Sequence, residues 1–190
     1  MAASSTMLPL YTTLPEFELP DVRTGRMVSS ATFDGHPLLV VFLCVHCPYV
    51  KRIQDGLADF GKAYENTELR IVGTAANDVG AYPEDAPENQ ARVAAEIGIN
   101  FPILYDESQA VASAFTAACT PDFFLFDADQ ELVYRGQFDE ARPSNEIPVT
   151  GESLRAAVDD VLAGDEVKTA QKPSLGCSIK WKSDGLISIT

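Results

Sequence analysis

Residues 38–48 read Leu-Leu-Val-Val-Phe-Leu-Cys-Val-His-Cys-Pro. Leu38 to Leu43 is a continuous apolar run with β-branched and aromatic members. Its length suits a strand buried on both faces, as in a parallel sheet. Pro48 suits the first turn of a helix, where its missing N–H has no partner to lose. Val50, Ile53, Leu57, Phe60 and Tyr64 then recur at spacings of three and four, the apolar stripe of an amphipathic helix. A Cys-x-x-Cys therefore stands between a buried strand and a helix.

The chain outside this stretch repeats the alternation. Upstream, residues 1–14 are a loosely held arm. Phe17 and Leu19 flank Glu18 in a short strand, and Thr24-Gly25 marks a turn to a second extended piece. Downstream, Leu69 to Gly73 reads as a buried strand and residues 75–88 as a polar loop. Glu88 to Ile97 reads as a helix with Val93 and Ile97 inward, ended by Gly98. Phe101 to Tyr105 is a strand, and Glu107 to Ala118 a helix. Phe123 to Phe126 and Glu131 to Tyr134 flank Asp127-Ala128-Asp129-Gln130 as a hairpin. Ser153 to Leu162 is a closing helix capped by Gly164. Residues 165–190 form a tail of little periodicity, packed on or near the domain. The fold class is α/β: a mixed sheet flanked by helices, in one domain over 15–164.

Composition bounds the function. With 46% hydrophobic residues in 190, the chain supports a sizeable core and is neither disordered nor collagen-like. Pro37 to Cys44 is the longest apolar run, too short to span a membrane. Met1 to Leu10 has no basic region, so no secretory signal is expected and a cytoplasmic location is. Fourteen basic against 28 acidic residues give a net charge of −14, which argues against nucleic acid and anionic membrane as partners.

There are four cysteines: Cys44, Cys47, Cys119 and Cys177. Cys44 is expected at the helix N-terminus, where unpaired N–H groups and the macrodipole favour a thiolate. Cys47 is then placed to attack a mixed disulfide formed on Cys44. His46, between them, is expected to stabilise the thiolate. Zinc is the competing use of Cys44, His46 and Cys47, completed by Cys119 or Cys177, but the spacing matches structural zinc poorly. Thr120-Pro121 precedes a strand. A cis peptide there would bring the loop to the cysteines and leave the Thr120 backbone free to pair with a substrate. Asp78, Glu84, Asp85 and Glu88 read as a solvated acidic loop. Arg135 and Arg142 with Asp139 read as surface pairs.

Three segments carry a resemblance. Cys44, His46, Cys47, Pro48, Val50 and Lys51 match a C-x-H-C-P-x-V-K segment. Asn77, Asp78, Tyr82, Pro83, Glu84 and Asp85 match N-D-x-x-x-Y-P-E-D. The tail carries PSLGCSIKW. Together they resemble the thioredoxin-fold superfamily, and more closely the peroxiredoxin-like branch of the alkyl hydroperoxide reductase/thiol-specific antioxidant group. The resemblance implies a thioredoxin-like fold with an N-terminal β-hairpin extension and a C-terminal tail. It implies Cys44 as attacking thiolate, Cys47 as its resolving partner and Thr120-Pro121 as a cis-proline loop. Peroxiredoxins carry a hydroxyl residue three positions before the peroxidatic cysteine and an arginine at the entry to the later strand. Val41 and Pro121 stand there in this chain.

The expected activity is thiol–disulfide exchange through Cys44 and Cys47, with His46, Thr120 and Pro121 at the site. Cys119 and Cys177 are accessory candidates, and no cofactor or metal is expected. Substrates would be protein or small-molecule disulfides or peroxides, with an electron-donating thiol protein or reductase as partner. The alternatives are a thioredoxin-dependent peroxidase using Cys44 and a non-catalytic metal- or partner-binding module.

Overall fold

The computed structural model describes residues 2–183. In chain order the elements are β1 (Ala2–Ser4), β2 (Glu18–Pro20), β3 (Met27–Ser29), β4 (Leu38–Phe42), α1 (Pro48–Tyr64), β5 (Arg70–Ala75), α2 (Pro87–Ile97), β6 (Ile103–Tyr105), α3 (Ala110–Ala114), β7 (Cys119–Thr120), β8 (Asp122–Phe126), β9 (Leu132–Gly136), α4 (Glu152–Ala163) and β10 (Leu175–Ser178). The central sheet runs β6-β5-β4-β8-β9. Strand β4 is parallel to β5 and antiparallel to β8. The mixed sheet is the expected one.

Strand β4 is buried along its whole length because both of its faces carry a core. Leu39, Val41 and Leu43 pack with Ile53, Leu57 and Phe60 of α1 and with Leu154 and Val158 of α4. Leu38, Val40 and Phe42 pack on the opposite face with Val111, Ala112, Phe115, Phe124 and residues of the N-terminal hairpin. Phe42, Phe115 and Phe124 meet edge to face. Each such ring removed from water stabilises the fold by roughly 1.5–3 kcal/mol, with edge-to-face geometry adding to it.

Several expectations need correction. The helix read over Glu107 to Ala118 is only Ala110–Ala114, entered through Gln109 in the left-handed region and followed by Thr116, also at positive φ. The Asp106 carboxylate, accepting from the Ala112 N–H, fixes this short turn. In α2 the fully buried positions are Gln90 and Ala94, while Val93 and Ile97 are only half-buried. Asp139 makes no surface pair. It is buried and accepts from the N–H groups of Ala141, Thr150 and Gly151, while Arg142 donates to backbone carbonyls and to Gln137. Arg135 likewise binds the Leu8 carbonyl and Gln171.

The two ends of the chain are more ordered than their sequence pattern suggested. The arm is not loose: Leu8 and Leu14 are buried, and β1 pairs with β10. The tail is not aperiodic coil: β10 also pairs with β7, making a small β1-β10-β7 sheet. Ile179 is the tail's buried anchor, whereas Leu175 and Trp181 are exposed. The last part of the expected tail, 184–190, lies outside the described residues.

Candidate active site

Helix α1 starts one residue after Cys47. Cys47 has extended backbone angles at the N-cap, and Pro48 is the first helical residue. Cys44 lies three residues earlier, past the end of β4 and outside the helix. The expectation that Cys44 occupies the helix N-terminus is therefore corrected: the macrodipole and the unpaired first-turn N–H groups act on Cys47.

The pair is enclosed. Cys44 is 2% exposed and Cys47 fully buried. All four cysteines are free thiols. Thr120 joins the two: its carbonyl accepts from the Cys47 thiol at 3.1 Å, and its hydroxyl lies 3.0 Å from the Cys44 sulfur. The register of β4 against β8 sets this contact. Phe42 opposite Asp122 brings the Thr120–Pro121 turn beside the residues that follow β4. The Thr120–Pro121 peptide is cis.

Electrostatics separate the two thiols. The Cys44 thiol holds the Cys47 thiol well below its usual range, against burial, with help from the Cys177 thiol and the Val50 and Cys177 N–H groups. Cys44 is pushed up by its hydrogen bond to Cys47, by burial and by the negative charge of Asp85. Cys119 is pushed up by burial first and by Asp122 next.

Asp85 is the residue that sequence reasoning misplaced. It is 1% exposed, not part of a solvated loop. One oxygen accepts from the Val45 N–H at 2.9 Å. The other accepts from His46 Nδ1 at 2.5 Å and from the Asn77 amide at 2.7 Å. Asn77 in turn accepts from the Lys180 N–H of the tail. His46 stacks on Tyr82 and binds Asp85, so its expected role towards a thiolate is indirect. One donor atom each of Cys44, His46 and Asp85 lie within 4.8 Å of one another. Such a trio has metal-compatible chemistry, but the carboxylate oxygens and His46 Nδ1 already satisfy one another and the backbone.

Residues 11–135 match the model of the AhpC/TSA family. The chain belongs to the AhpC/TSA family. Membership places it among redox proteins in general. A crystal structure of an uncharacterized conserved protein from Geobacillus kaustophilus is similar at 48% identity and TM-score 0.94, covering 96% of this chain and 97% of that one. A hypothetical protein from Sinorhizobium meliloti 1021 is similar at 46% identity and TM-score 0.92, covering 95% and 98%. The thioredoxin domain of a thiol-disulfide oxidoreductase from Bacteroides vulgatus shares the fold alone, at 18% identity and TM-score 0.60, covering 78% and 96%. No curated protein matches.

Within this AhpC/TSA chain the structure brings Cys44, Cys47, Thr120 and Cys177 together. Cys177 is half-buried and packs against the core that holds Cys44 and Cys47. Cys119 points elsewhere, towards the Pro121 and Ser174 carbonyls. Asp122 had drawn no attention in the sequence. It is fully buried, and its carboxylate has no hydrogen-bond partner among the described residues. Desolvation pushes its pKa up to about 7.

Proposed function

We propose that this protein is a thiol–disulfide oxidoreductase whose attacking group is the Cys47 thiolate. The observation that carries the reading is the position of Cys47 at the N-cap of α1, with the second thiol, Cys44, held beside it by the Thr120 residue that both contact. The roles are the reverse of those expected from the sequence. Cys47 attacks one sulfur of a disulfide, forming a mixed disulfide and releasing one thiolate. Cys44 then gives up its proton and attacks the Cys47 sulfur. The second substrate thiol leaves with that proton, and a Cys44–Cys47 disulfide remains. Thr120 contacts both sulfurs and holds them in register.

Family membership also supports peroxide as an oxidant. Against it, peroxiredoxins need a hydroxyl three residues before the reacting cysteine. That place is held by Val41 for Cys44 and by a thiol, Cys44, for Cys47. Disulfides are therefore the favoured substrate. The test is to compare reduced protein with a small neutral disulfide and with hydrogen peroxide. Rapid reaction with the disulfide, and peroxide reaction no faster than that of a free thiolate, supports exchange. A peroxide rate orders of magnitude above that level overturns it.

A further inference from the structure

Thr120 is not free to pair with an incoming strand, contrary to the expectation from the sequence. Its register partner is Cys177 of β10, and its carbonyl accepts from the Cys47 thiol. A thiol protein that docks by strand pairing finds that edge taken. An opening lies instead between α1 and α2. A cavity of about 30 Å³ there has Cys44, and not Cys47, in its wall, with aliphatic neighbours such as Val50, Val93 and Ile97. Val45, Lys51 and Ile97 line both this cavity and an outer groove of about 500 Å³, which makes the two continuous. Val93 and Ile97 are half-buried because they face this space and not the core.

Gln90 of α2 lines the same cavity. It is 3% exposed, and its Nε2 has no hydrogen-bond partner among the described residues. A buried amide N–H without an acceptor costs free energy. A donor kept in an aliphatic wall therefore marks a place for an acceptor that a ligand brings. Lys51, which lines both spaces, is exposed and makes no ion pair among the described residues. It adds a positive charge where the cavity meets the groove.

We propose that the electron donor is a small aliphatic thiol bearing a carboxylate or amide oxygen, which binds between α1 and α2 with that oxygen on Gln90 and attacks the Cys44 sulfur of the oxidised protein. The proposal rests on the reading of the protein as an exchange enzyme with Cys47 as the better thiolate. The donor loses its proton, and its thiolate forms a bond to the Cys44 sulfur. The Cys44–Cys47 bond breaks, and Cys47 leaves as a thiolate. A thiolate of greater stability departs faster. The N-terminus of α1 lies at Cys47, whereas the Asp85 charge lies beside Cys44. A second donor thiolate then attacks the donor sulfur of the mixed disulfide, and Cys44 leaves and takes up a proton. Two donor thiols become one disulfide, two electrons pass to the protein, and its two thiols are restored. Disulfide substrate is thus attacked by Cys47, and reductant enters at Cys44.

The test starts from full-length wild-type protein oxidised with a small neutral disulfide. Failure to form the Cys44–Cys47 disulfide overturns the exchange reading itself. The oxidised protein is mixed with 3-mercaptopropionate, quenched early with iodoacetamide and mapped under non-reducing conditions. The proposal predicts mercaptopropionate on Cys44 and the alkyl label on Cys47. The reverse distribution overturns the proposal and leaves the exchange reading standing. In a second arm, re-reduction rates with 3-mercaptopropionate and 1-propanethiol are each divided by the same thiol's rate on a free small disulfide. Wild type should prefer 3-mercaptopropionate, and Gln90→Leu should lower that preference about tenfold or more, the scale of one hydrogen bond to a charged acceptor. An absent preference in wild type, or one that Gln90→Leu leaves unchanged, overturns the site. A thioredoxin-type dithiol protein that outruns 3-mercaptopropionate on the same scale overturns the assignment of the donor.

Discussion

Asp85 grips His46 at 2.5 Å and, through its other oxygen, the Val45 N–H beside it. A buried carboxylate from the loop after β5 thus fixes both residues that separate Cys44 from Cys47. The arrangement keeps the short segment between β4 and α1 in one conformation and sets a negative charge next to Cys44 rather than Cys47. That asymmetry, together with the helix N-terminus at Cys47, distinguishes the two thiols.

Removing the grip should be costly. Asp85→Ala strands three buried or half-buried donors, from Val45, His46 and Asn77. Urea denaturation should show a loss of about 3 kcal/mol, the scale expected when buried donors lose a charged acceptor. A loss below about 0.5 kcal/mol would place Asp85 outside the framework of the site.

Cys44 is the largest of the groups that lower the Cys47 pKa. In Cys44→Ser the rate of the first exchange step should therefore require a higher pH. In wild type the pH–rate midpoint should lie well below the ordinary thiol value of about 8.5, and in the variant it should move upward. The first step itself should survive, whereas in Cys47→Ser it should fall by about 100-fold or more, because the thiolate is the nucleophile. Identical midpoints for wild type and Cys44→Ser would contradict the coupling.

Asp122 should give the protein a distinctive acid profile. Its pKa rises from an ordinary 3.8 to about 7 in the folded chain because burial disfavours the charge. The folded state then binds the proton more tightly than the unfolded state. Stability should fall as pH rises from about 4 to about 7, by on the order of 4 kcal/mol at most. Asp122→Asn should flatten that window and be the more stable protein at neutral pH. Parallel pH profiles for the two proteins would refute the assignment.

Gly176→Ala tests the seating of the tail. The new methyl meets the Thr120 backbone, which cannot swing aside as a long side chain would. Strand β10 should lift, and iodoacetamide should modify Cys177 about tenfold faster, equivalent to ~1.4 kcal/mol of lost docking. An unchanged labelling rate would mean that the strand accommodates the methyl without moving.

The central architecture was legible because it is written in local pattern. Leu38 to Leu43 and the stripe from Val50 to Tyr64 specify a buried strand and a helix by composition and period alone. The register of the motif was legible too, since proline at the first helical position makes the preceding Cys47 the N-cap. Other features depend on contacts far apart in sequence. Asp85 looks like any loop acid until His46 and Val45 close around it. Strand β10 has no apolar alternation: Gly176 admits the close approach of the Thr120 backbone, and Cys177 and Ser178 pair with Thr120 and Cys119. Asp122 sits between Pro121 and an aromatic run, and only the paired sheet shows it to be buried.

Brief alkylation of reduced wild-type protein at about pH 6, well below the ordinary thiol range, followed by peptide mapping, tests the central claim most directly. The account predicts that iodoacetamide marks Cys47 before Cys44, because the helix N-terminus lies at Cys47 and the Asp85 charge lies beside Cys44. Label on Cys44 with Cys47 unmodified would contradict it.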